Sequence, residues 1–196
     1  YPRKCFLNSK GFITEAMMII LDAGHGGKDS GIVAPNGTKE KTQALSLVLT
    51  IKHILQTEFG LADEQIGLTR TKDSYPSLDS RIAKANESKA KLFVSVHFDI
   101  PQAGWRWGTY HAGNFASEKL AKRVSNALDE INGTVGTWTR SHVESRFGRL
   151  YIANFREVAI LVEFGPIRNC GKDERLRLAR AVAPVLVEHL KESNHD

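Results

Sequence analysis

The chain has 196 residues, of which 41% are hydrophobic and 25% are charged. This length and composition are typical of one globular domain with a single core, and they exclude collagen-like and low-complexity chains. No apolar run is long enough to cross a membrane, so we expect no membrane insertion. The formal net charge of +5 is compatible with an anionic partner and equally with a merely soluble basic surface. The basic residues are scattered, and we expect no nucleic-acid partner.

The N-terminal stretch and the cysteines give little structural information. Residues 1–16 lack the apolar run of a signal peptide and match neither helix nor strand, so we interpret them as a leader or cloning remnant and assign the folded domain to 17–196. Cys5 and Cys170 have no CxxC spacing, so free thiols are expected rather than a disulfide framework.

The first half of the chain alternates strands with helices. The apolar run 17–22 predicts a buried strand, and a helical period begins at Glu40 after a loop rich in Gly, Pro, Asn and Asp. Thr38 or Asn36 is the expected cap of that helix. Three further predicted elements follow in order: strand 65–70, a helix opened by Ser77, and strand 91–97.

The second half continues this alternation. Its predicted elements are a weak strand at 108–113, an amphipathic helix capped by Ser117, a loop at 132–148, a short strand at 149–154, a strongly apolar strand at 158–163, and a helix from Asp173 that Pro184 should kink or interrupt. Strands that alternate with helices predict a single α/β domain, with a mostly parallel or mixed central sheet and helices on both faces.

Three of the most apolar runs lead to side chains with metal-binding or acid–base chemistry. The first strand leads to His25, the third ends on His97 and the last ends on Glu163. If these strands are parallel neighbours, the three side chains converge at the carboxyl edge of the sheet, where open α/β sheets bind ligands. Each residue also has a purely structural explanation, as a satisfied core histidine or a strand-end acid paired with an arginine.

Two histidines suit zinc, which in catalytic sites takes three protein ligands and keeps one position open for water. Glu40 is a candidate third ligand because it begins a helix after the loop that leaves His25. Asp22 and Asp29 compete for that role. A first-turn glutamate favoured by the helix dipole is the other explanation of Glu40, and spacing alone favours it.

The segments LDAGHGGKDSG, GTKEKTQAL, LTRTKDSYPSLDSRIAKAN, KLFVSVHFD and VAILVEFG, in this order, resemble the zinc-dependent N-acetylmuramoyl-L-alanine amidases of the Amidase_3 type. The resemblance runs from about Met17 to the last helix. It implies that 17–196 is a zinc amidase catalytic domain. Such an enzyme is a cell-wall hydrolase that cuts the amide between N-acetylmuramic acid and L-alanine of the peptidoglycan stem peptide.

The resemblance also implies roles for particular residues. His25, Glu40 and His97 correspond to the family's zinc ligands, with one Zn²⁺ per chain, and Glu163 corresponds to its essential acid. Zinc in such a site polarises the amide carbonyl, and a second carboxylate carries a proton from water to the leaving amine. Arg81 and Asn86 match family positions for which a role in bracing the sheet is favoured over catalysis.

Some residues depart from the family pattern. Asp99 stands where asparagine is typical, which predicts an altered hydrogen bond beside the site. Pro166 and Cys170 change the segment after Glu163, so the shape of that rim is left open.

Other residues have alternative interpretations. Three aromatic residues either line a groove for glycan or peptide or form an edge of the core: Trp105, Trp107 and Tyr110. Five further histidines fit no ligand spacing: His53, His111, His142, His189 and His195. Contact of Arg106, Arg140 and Arg146 with anionic wall polymer is a further hypothesis.

Peptidoglycan is the expected partner, the expected place of action is the cell wall, and a monomer is favoured. The lack of a signal-peptide pattern suggests two origins, a phage endolysin released through a membrane pore or a domain cut from a secreted bacterial autolysin. Two other functions stay open at this point. One is a different zinc peptidase, such as a carboxypeptidase acting on wall peptides, and the other is a catalytically silent peptidoglycan-binding module.

Overall fold

The computed structural model describes residues 19–99, 107–132, 137–167 and 170–193, so the predictions for residues 1–16, Trp105 and Arg106 lie outside it. Within these ranges the strands are β1 (Ile19–Ala23), β2 (Ile66–Leu68), β3 (Leu92–Asp99), β4 (Gly108–His111), β5 (Trp138–Ser141) and β6 (Val158–Pro166). The helices are α1 (Glu40–Thr57), α2 (Leu78–Glu87), α3 (Phe115–Asn132) and α4 (Lys172–Glu192). None of the described helices has the length and apolar character needed to cross a membrane.

The strands form one sheet in the order β2-β1-β3-β6-β4-β5. The first four are parallel to one another, whereas β4 runs antiparallel to β6 and β5 runs parallel to β4. Because β1, β3 and β6 are parallel neighbours, their carboxyl ends meet at one edge of the sheet. In this register His97 lies directly opposite Glu163. The expected single α/β domain with a mixed sheet is confirmed.

Helices cover both faces of the sheet. The helices α1, α3 and α4 pack on one face, which presents Ile19, Leu21 and their neighbours, while α2 and a short 3₁₀ helix (Tyr151–Asn154) pack on the other, which presents Ile20. Successive residues of a strand point to opposite faces, so a strand covered on both sides is apolar throughout. This is why the central strands are continuous apolar runs in the sequence.

Two predictions in the second half of the chain are wrong. The expected loop at 132–148 contains β5, an edge strand whose Trp138 packs against Gly108 so closely that a Cβ there would lie 1.9 Å from the indole ring. The expected strand at 149–154 is instead the 3₁₀ helix, because Ile152 is buried there and the Tyr151 hydroxyl reaches into the sheet. Both outcomes depend on partners that are distant in the sequence.

The predicted caps of α1 and α3 are also wrong. Lys39 precedes α1 and makes no side-chain cap hydrogen bond, while Asn36 accepts a hydrogen bond from the Thr38 amide within the preceding turn. Ser117 lies inside α3, and its amide donates to the Asn114 side chain while its hydroxyl accepts from the amide of Ala159 in β6. Ser77 does cap α2, as predicted. Helix α4 continues through Pro184.

The carboxylate of Asp22 ties several elements together beneath the sheet edge. It is fully buried and accepts hydrogen bonds from Arg81 Nη1 (2.7 Å), Thr69 Oγ1 (2.6 Å), Ser95 Oγ (2.7 Å) and the Tyr151 hydroxyl. Burial by itself would raise the pKa of Asp22, but the Arg81 charge and the hydrogen bonds from Thr69 and Tyr151 lower it below its ordinary value. The sheet-bracing role expected for Arg81 is what these contacts provide.

We expect Asp22→Asn to lower the free energy of unfolding at pH 7 by about 3 kcal/mol, because it leaves the buried Arg81 guanidinium without its charged partner. Since folding lowers the pKa of Asp22, its contribution is complete above the ordinary value, about 4, and disappears as the pH falls through the folded value. The stability difference between wild type and variant should therefore shrink in acid. Urea unfolding at stepped pH measures it.

Asp63→Asn is the matched control, because Asp63 is exposed and pairs with Lys52 at the surface. Exposed pairs contribute little, so this variant should stay close to wild type at every pH. An Asp22→Asn protein as stable as the control at pH 7 would contradict the role given to the buried pair.

Candidate metal centre

The structure brings His25, Glu40 and His97 together at the carboxyl edge of the sheet. One potential ligand atom from each residue lies within 4.8 Å of the others, and this is the only such group of metal-binding side chains in the described part of the chain. His25 follows β1, Glu40 is the first residue of α1, and His97 lies near the end of β3. The cluster could hold a metal ion.

One oxygen of Glu40 is the centre of this cluster. Its Oε1 atom lies 3.0 Å from His25 Nε2 and 3.0 Å from His97 Nδ1, and it also accepts a hydrogen bond from the Phe98 amide. The other oxygen, Oε2, accepts from the Ile32 amide. Only 2% of Glu40 is exposed. Burial opposes ionisation, but the two imidazoles outweigh it and hold the pKa of Glu40 well below its ordinary value.

The His25 ring is oriented by a carboxylate on its far side. Its Nδ1 donates to Asp29 Oδ2 at 2.9 Å, so in the neutral ring the Nε2 atom presents its lone pair to the cluster. Burial lowers the pKa of His25, and the carboxylates of Glu40 and Asp29 more than compensate, so the pKa is raised overall. Of the competing acids, Asp29 thus lies outside the cluster, behind His25, and Asp22 is held in the network with Arg81.

The loop that carries His25 requires an unusual backbone. His25 has a φ of 58°, in the left-handed region that non-glycine residues rarely adopt. Gly24 beside it allows His97 to pack against the chain, since a Cβ at Gly24 would lie 2.4 Å from the His97 ring. Gly31, with a φ of 62°, leaves room in the same way for Glu40, whose Oε2 would be 2.6 Å from a Cβ. These glycines allow the three side chains to approach one another.

Two buried arginines hold this loop through its carbonyl groups. Arg70, which is 4% exposed, donates to the carbonyls of Ala23 (2.9 Å), Gly24 (2.8 Å) and Lys41 (2.7 Å). Arg81 donates to the carbonyls of Ala23 and His25, at 2.7 and 2.8 Å. Sequence reasoning missed Arg70, because a single arginine after a short strand has no distinctive spacing.

Glu163 lies next to the cluster but is not part of it. It is the register partner of His97 on an adjacent parallel strand, and such strands lie about 4.8 Å apart, so the two side chains point to the same face of the sheet. Its Oε2 atom is shielded from solvent and has no hydrogen-bond partner among the described residues. Burial raises the pKa of Glu163 well above its ordinary value, and the charges of Glu40 and Asp99 raise it further, while Arg146 opposes them.

The remaining candidates lie around this centre. Asp99 forms an ion pair with Arg146, with 2.9 Å between Oδ1 and Nη2. Trp107 and Tyr110 are buried and pack in the two cores, so the structure favours a core edge over a binding groove for both. Cys170 is buried. Asn86 links α2 to the segment before β6 by accepting a hydrogen bond from the Arg156 amide.

Comparison with known proteins identifies the family. The sequence profile of the Amidase_3 family, the N-acetylmuramoyl-L-alanine amidases, matches residues 19–186, and the chain belongs to this family. The endolysin of Bacillus phage SPP1 is 46% identical over 93 residues, which cover 47% of this chain and 33% of that protein. The amidase AmiC of Escherichia coli O6:H1 is 37% identical over 124 residues, covering 60% of this chain and 29% of that protein. The chain thus spans about a third of the length of these two relatives.

Solved amidase structures share the fold. The catalytic domain of CwlV, an N-acetylmuramoyl-L-alanine amidase from Bacillus (Paenibacillus) polymyxa var. colistinus, aligns with a TM-score of 0.76 at 27% identity, covering 89% of this chain and 98% of that one. The amidase AmiC2 of Nostoc punctiforme aligns with a TM-score of 0.76 at 26% identity, covering 90% and 98%. The resemblance inferred from the sequence motifs is confirmed.

We expect Arg70→Lys to loosen the loop that carries His25. A lysine ammonium cannot reach the carbonyls of Ala23, Gly24 and Lys41 together, as the guanidinium does. About two hydrogen bonds, worth about 1 kcal/mol each, are therefore lost. Hydrogen–deuterium exchange of the segment 23–27 should become at least about tenfold faster, while exchange in β6 stays unchanged as an internal control. Equal protection of segment 23–27 in both proteins would show that Arg70 does not hold the loop.

Proposed function

We propose that this domain is a zinc-dependent amidase that hydrolyses the bond between N-acetylmuramic acid and L-alanine in peptidoglycan. The observation that carries the proposal is the meeting of His25, Glu40 and His97 at one point beside Glu163, in a chain that belongs to the amidase family. We further propose that the three clustered residues bind one zinc ion and that Glu163 is the catalytic acid–base.

The chemistry of the cluster supports zinc. Two imidazole nitrogens and one carboxylate oxygen converge, and both nitrogens lie 3.0 Å from the same oxygen, so either protons on the imidazoles or a shared cation hold these atoms together. Two histidines and one glutamate are a known ligand set of catalytic zinc. Asp29 orients His25, as carboxylates commonly do behind zinc-binding histidines. The residues present therefore fit the ion.

The proposed ligands and Glu163 have separate roles in the reaction: the ligands hold the metal ion, and Glu163 transfers the proton. When bound, zinc would polarise the amide carbonyl and make a water molecule more acidic. Glu163 Oε2, which has no partner among the described residues, accepts a proton from the attacking water. Oxygen then bonds to the carbonyl carbon, the carbon–nitrogen bond breaks, and Glu163 returns the proton to the leaving amine nitrogen of L-alanine. Burial raises the pKa of Glu163, and the charge of an ion held by His25, Glu40 and His97 would lower it, so that Glu163 could act as a base before it acts as an acid.

The place of action and the partner follow from this reaction. Peptidoglycan is the substrate and the cell wall the place of action, whether the domain comes from a phage endolysin or from a secreted autolysin, since both a phage endolysin and bacterial amidases are among its relatives. We infer that a monomer is sufficient for this reaction, because one chain supplies all four proposed site residues.

Chelation should abolish hydrolysis, and added zinc should restore it. We expect the purified wild-type protein to bind about one zinc ion per chain, and His25→Ala to bind far less, because removing one of three ligands opens the site. Gly24→Ala should also bind zinc less tightly, since its new Cβ displaces the His97 ring. Metal analysis after dialysis against buffered zinc measures both effects.

Gly171→Ala is the control for the glycine variant, because a Cβ at Gly171 meets no atom within 4 Å. It should bind zinc as the wild type does. Full activity after exhaustive metal removal would refute the zinc proposal, whatever the variants do.

Glu163→Gln should retain zinc and the fold while its hydrolysis rate falls by at least about 100-fold, because the amide cannot shuttle the proton. Glu157→Gln is the matched control, since Glu157 is exposed before β6 and pairs with Lys91. Digestion of purified peptidoglycan, with mass analysis of the soluble products, provides the rate. A Glu163→Gln protein that digests walls at the control rate would remove Glu163 from the mechanism.

The same products separate the proposed activity from the two other functions considered. An amidase releases intact stem peptides that begin with a free L-alanine amine. A carboxypeptidase would release only a terminal amino acid. A silent binding module would sediment with the wall and release nothing.

A further inference from the structure

Arg146 is a charged group beside the proposed centre that the reaction does not use. It lies between β5 and β6, its side chain is 44% exposed, and its Nη2 donates to Asp99 Oδ1 at 2.9 Å. Its guanidinium stacks on the ring of Phe147, 4.8 Å from the centroid, and 76% of Phe147 is exposed. A guanidinium has five N–H donors, so this single contact within the described residues leaves most of them for water or a ligand.

The surroundings place Arg146 on the same face of the sheet as Glu163. The neighbouring Ser145 bonds through its side chain to Tyr110, and Tyr110 lies opposite Leu161. Leu161 precedes Glu163 by two residues, so the side chains of both point to one face. Asp99, the anchor of Arg146, follows His97 by two residues at the end of β3, the neighbour of β6. The pair of Asp99 and Arg146 therefore lies at the carboxyl ends of these two neighbouring strands. The charges of Asp99 and Arg146 both affect the pKa of Glu163, in opposite directions.

We propose that Arg146, held by Asp99, binds a carboxylate of the stem peptide on the leaving side of the bond that is cut. This inference rests on the proposed amidase function. Glu163 returns its proton to the leaving amine, so the peptide that carries this amine lies on the side of Glu163. A partly exposed guanidinium binds a carboxylate with two parallel hydrogen bonds, and the exposed ring of Phe147 offers an apolar surface beside it.

The ligand of Arg146 is thus an acidic stem peptide. L-alanine has no charged side chain, so the residue after it is the first on the leaving side that can carry the carboxylate. A peptide whose carboxylate is converted to a carboxamide keeps its shape but loses the charge, so Arg146 distinguishes the two. Asp99 stands where the family typically has asparagine, and it is the residue that holds Arg146 in place. A carboxylate binds a guanidinium more strongly than a neutral amide would.

The test compares two soluble muramoyl tripeptides that differ only in a free carboxylate or a carboxamide on the residue after L-alanine. We expect wild type to cleave the acidic substrate with a kcat/KM about tenfold higher, and the difference to appear mainly in KM. Arg146→Gln should bring the ratio of the two kcat/KM values close to one, and Arg146→Lys should retain part of it. Arg149→Gln, the same change of charge three residues later at an exposed position, should keep the wild-type ratio.

The possible failures are distinguishable. Cleavage of both substrates by wild type at equal kcat/KM overturns the inference and leaves the amidase function intact. A ratio that Arg146→Gln preserves, with both rates lowered together, assigns Arg146 to positioning Asp99 and overturns the inference as well. A loss confined to intact walls assigns Arg146 to anionic wall polymer, with the same consequence. If wild type loaded with zinc cleaves neither substrate nor purified walls, the proposed function fails, and the inference with it.

Discussion

The Glu40 carboxylate lies where the loop after β1, the start of α1 and the end of β3 meet. It is almost completely buried, and the amides of Ile32 and Phe98 and the rings of His25 and His97 surround it. A buried carboxylate left without partners would cost several kcal/mol, so these three segments must come together for Glu40 to remain ionised in the folded chain. The same contacts bring the three proposed ligands, His25, Glu40 and His97, close together. The contacts that form the site are therefore the same contacts that stabilise the fold in this region.

Bringing these groups together requires a backbone conformation at His25 that residues other than glycine rarely adopt. A left-handed residue other than glycine costs about 1–2 kcal/mol, and His25 pays this cost at the point where its ring enters the site. The carbonyl hydrogen bonds from Arg70 and Arg81 offset it, and Arg81 is in turn fixed by the buried Asp22. Beside Glu40, whose pKa is lowered, burial raises the pKa of Glu163, and the charges of Glu40 and Asp99 raise it further. The pKa values of the two carboxyl groups at this edge are therefore shifted in opposite directions.

Much of the fold could be predicted because burial on both faces makes β1, β3 and β6 continuous apolar runs, and their order with the helices restricts the topology. The failures have a common physical origin. Strand β5 depends on pairing with β4 and on the packing of Trp138 over Gly108, and the 3₁₀ helix at Tyr151–Asn154 depends on a hydrogen bond to Asp22. Arg70 and the pair of Asp99 and Arg146 likewise act on residues far away in the chain. Such contacts leave no local pattern.

The sequence by itself determined the α/β class, the positions of His97 and Glu163 on strongly apolar strands, and, through the ordered motifs, membership of the amidase family. The strands run further than predicted, to Asp99 and Pro166. For Glu40 the spacing favoured an ordinary first-turn glutamate, and only the family resemblance pointed to the site. The tertiary structure decided that Glu40 meets both imidazoles, that Asp29 stands behind His25, and that Asp22 belongs to the Arg81 network. The reason is that sequence specifies which side chains a strand or helix presents, whereas the register of β1, β3 and β6 and the position of α1 against them set the distances.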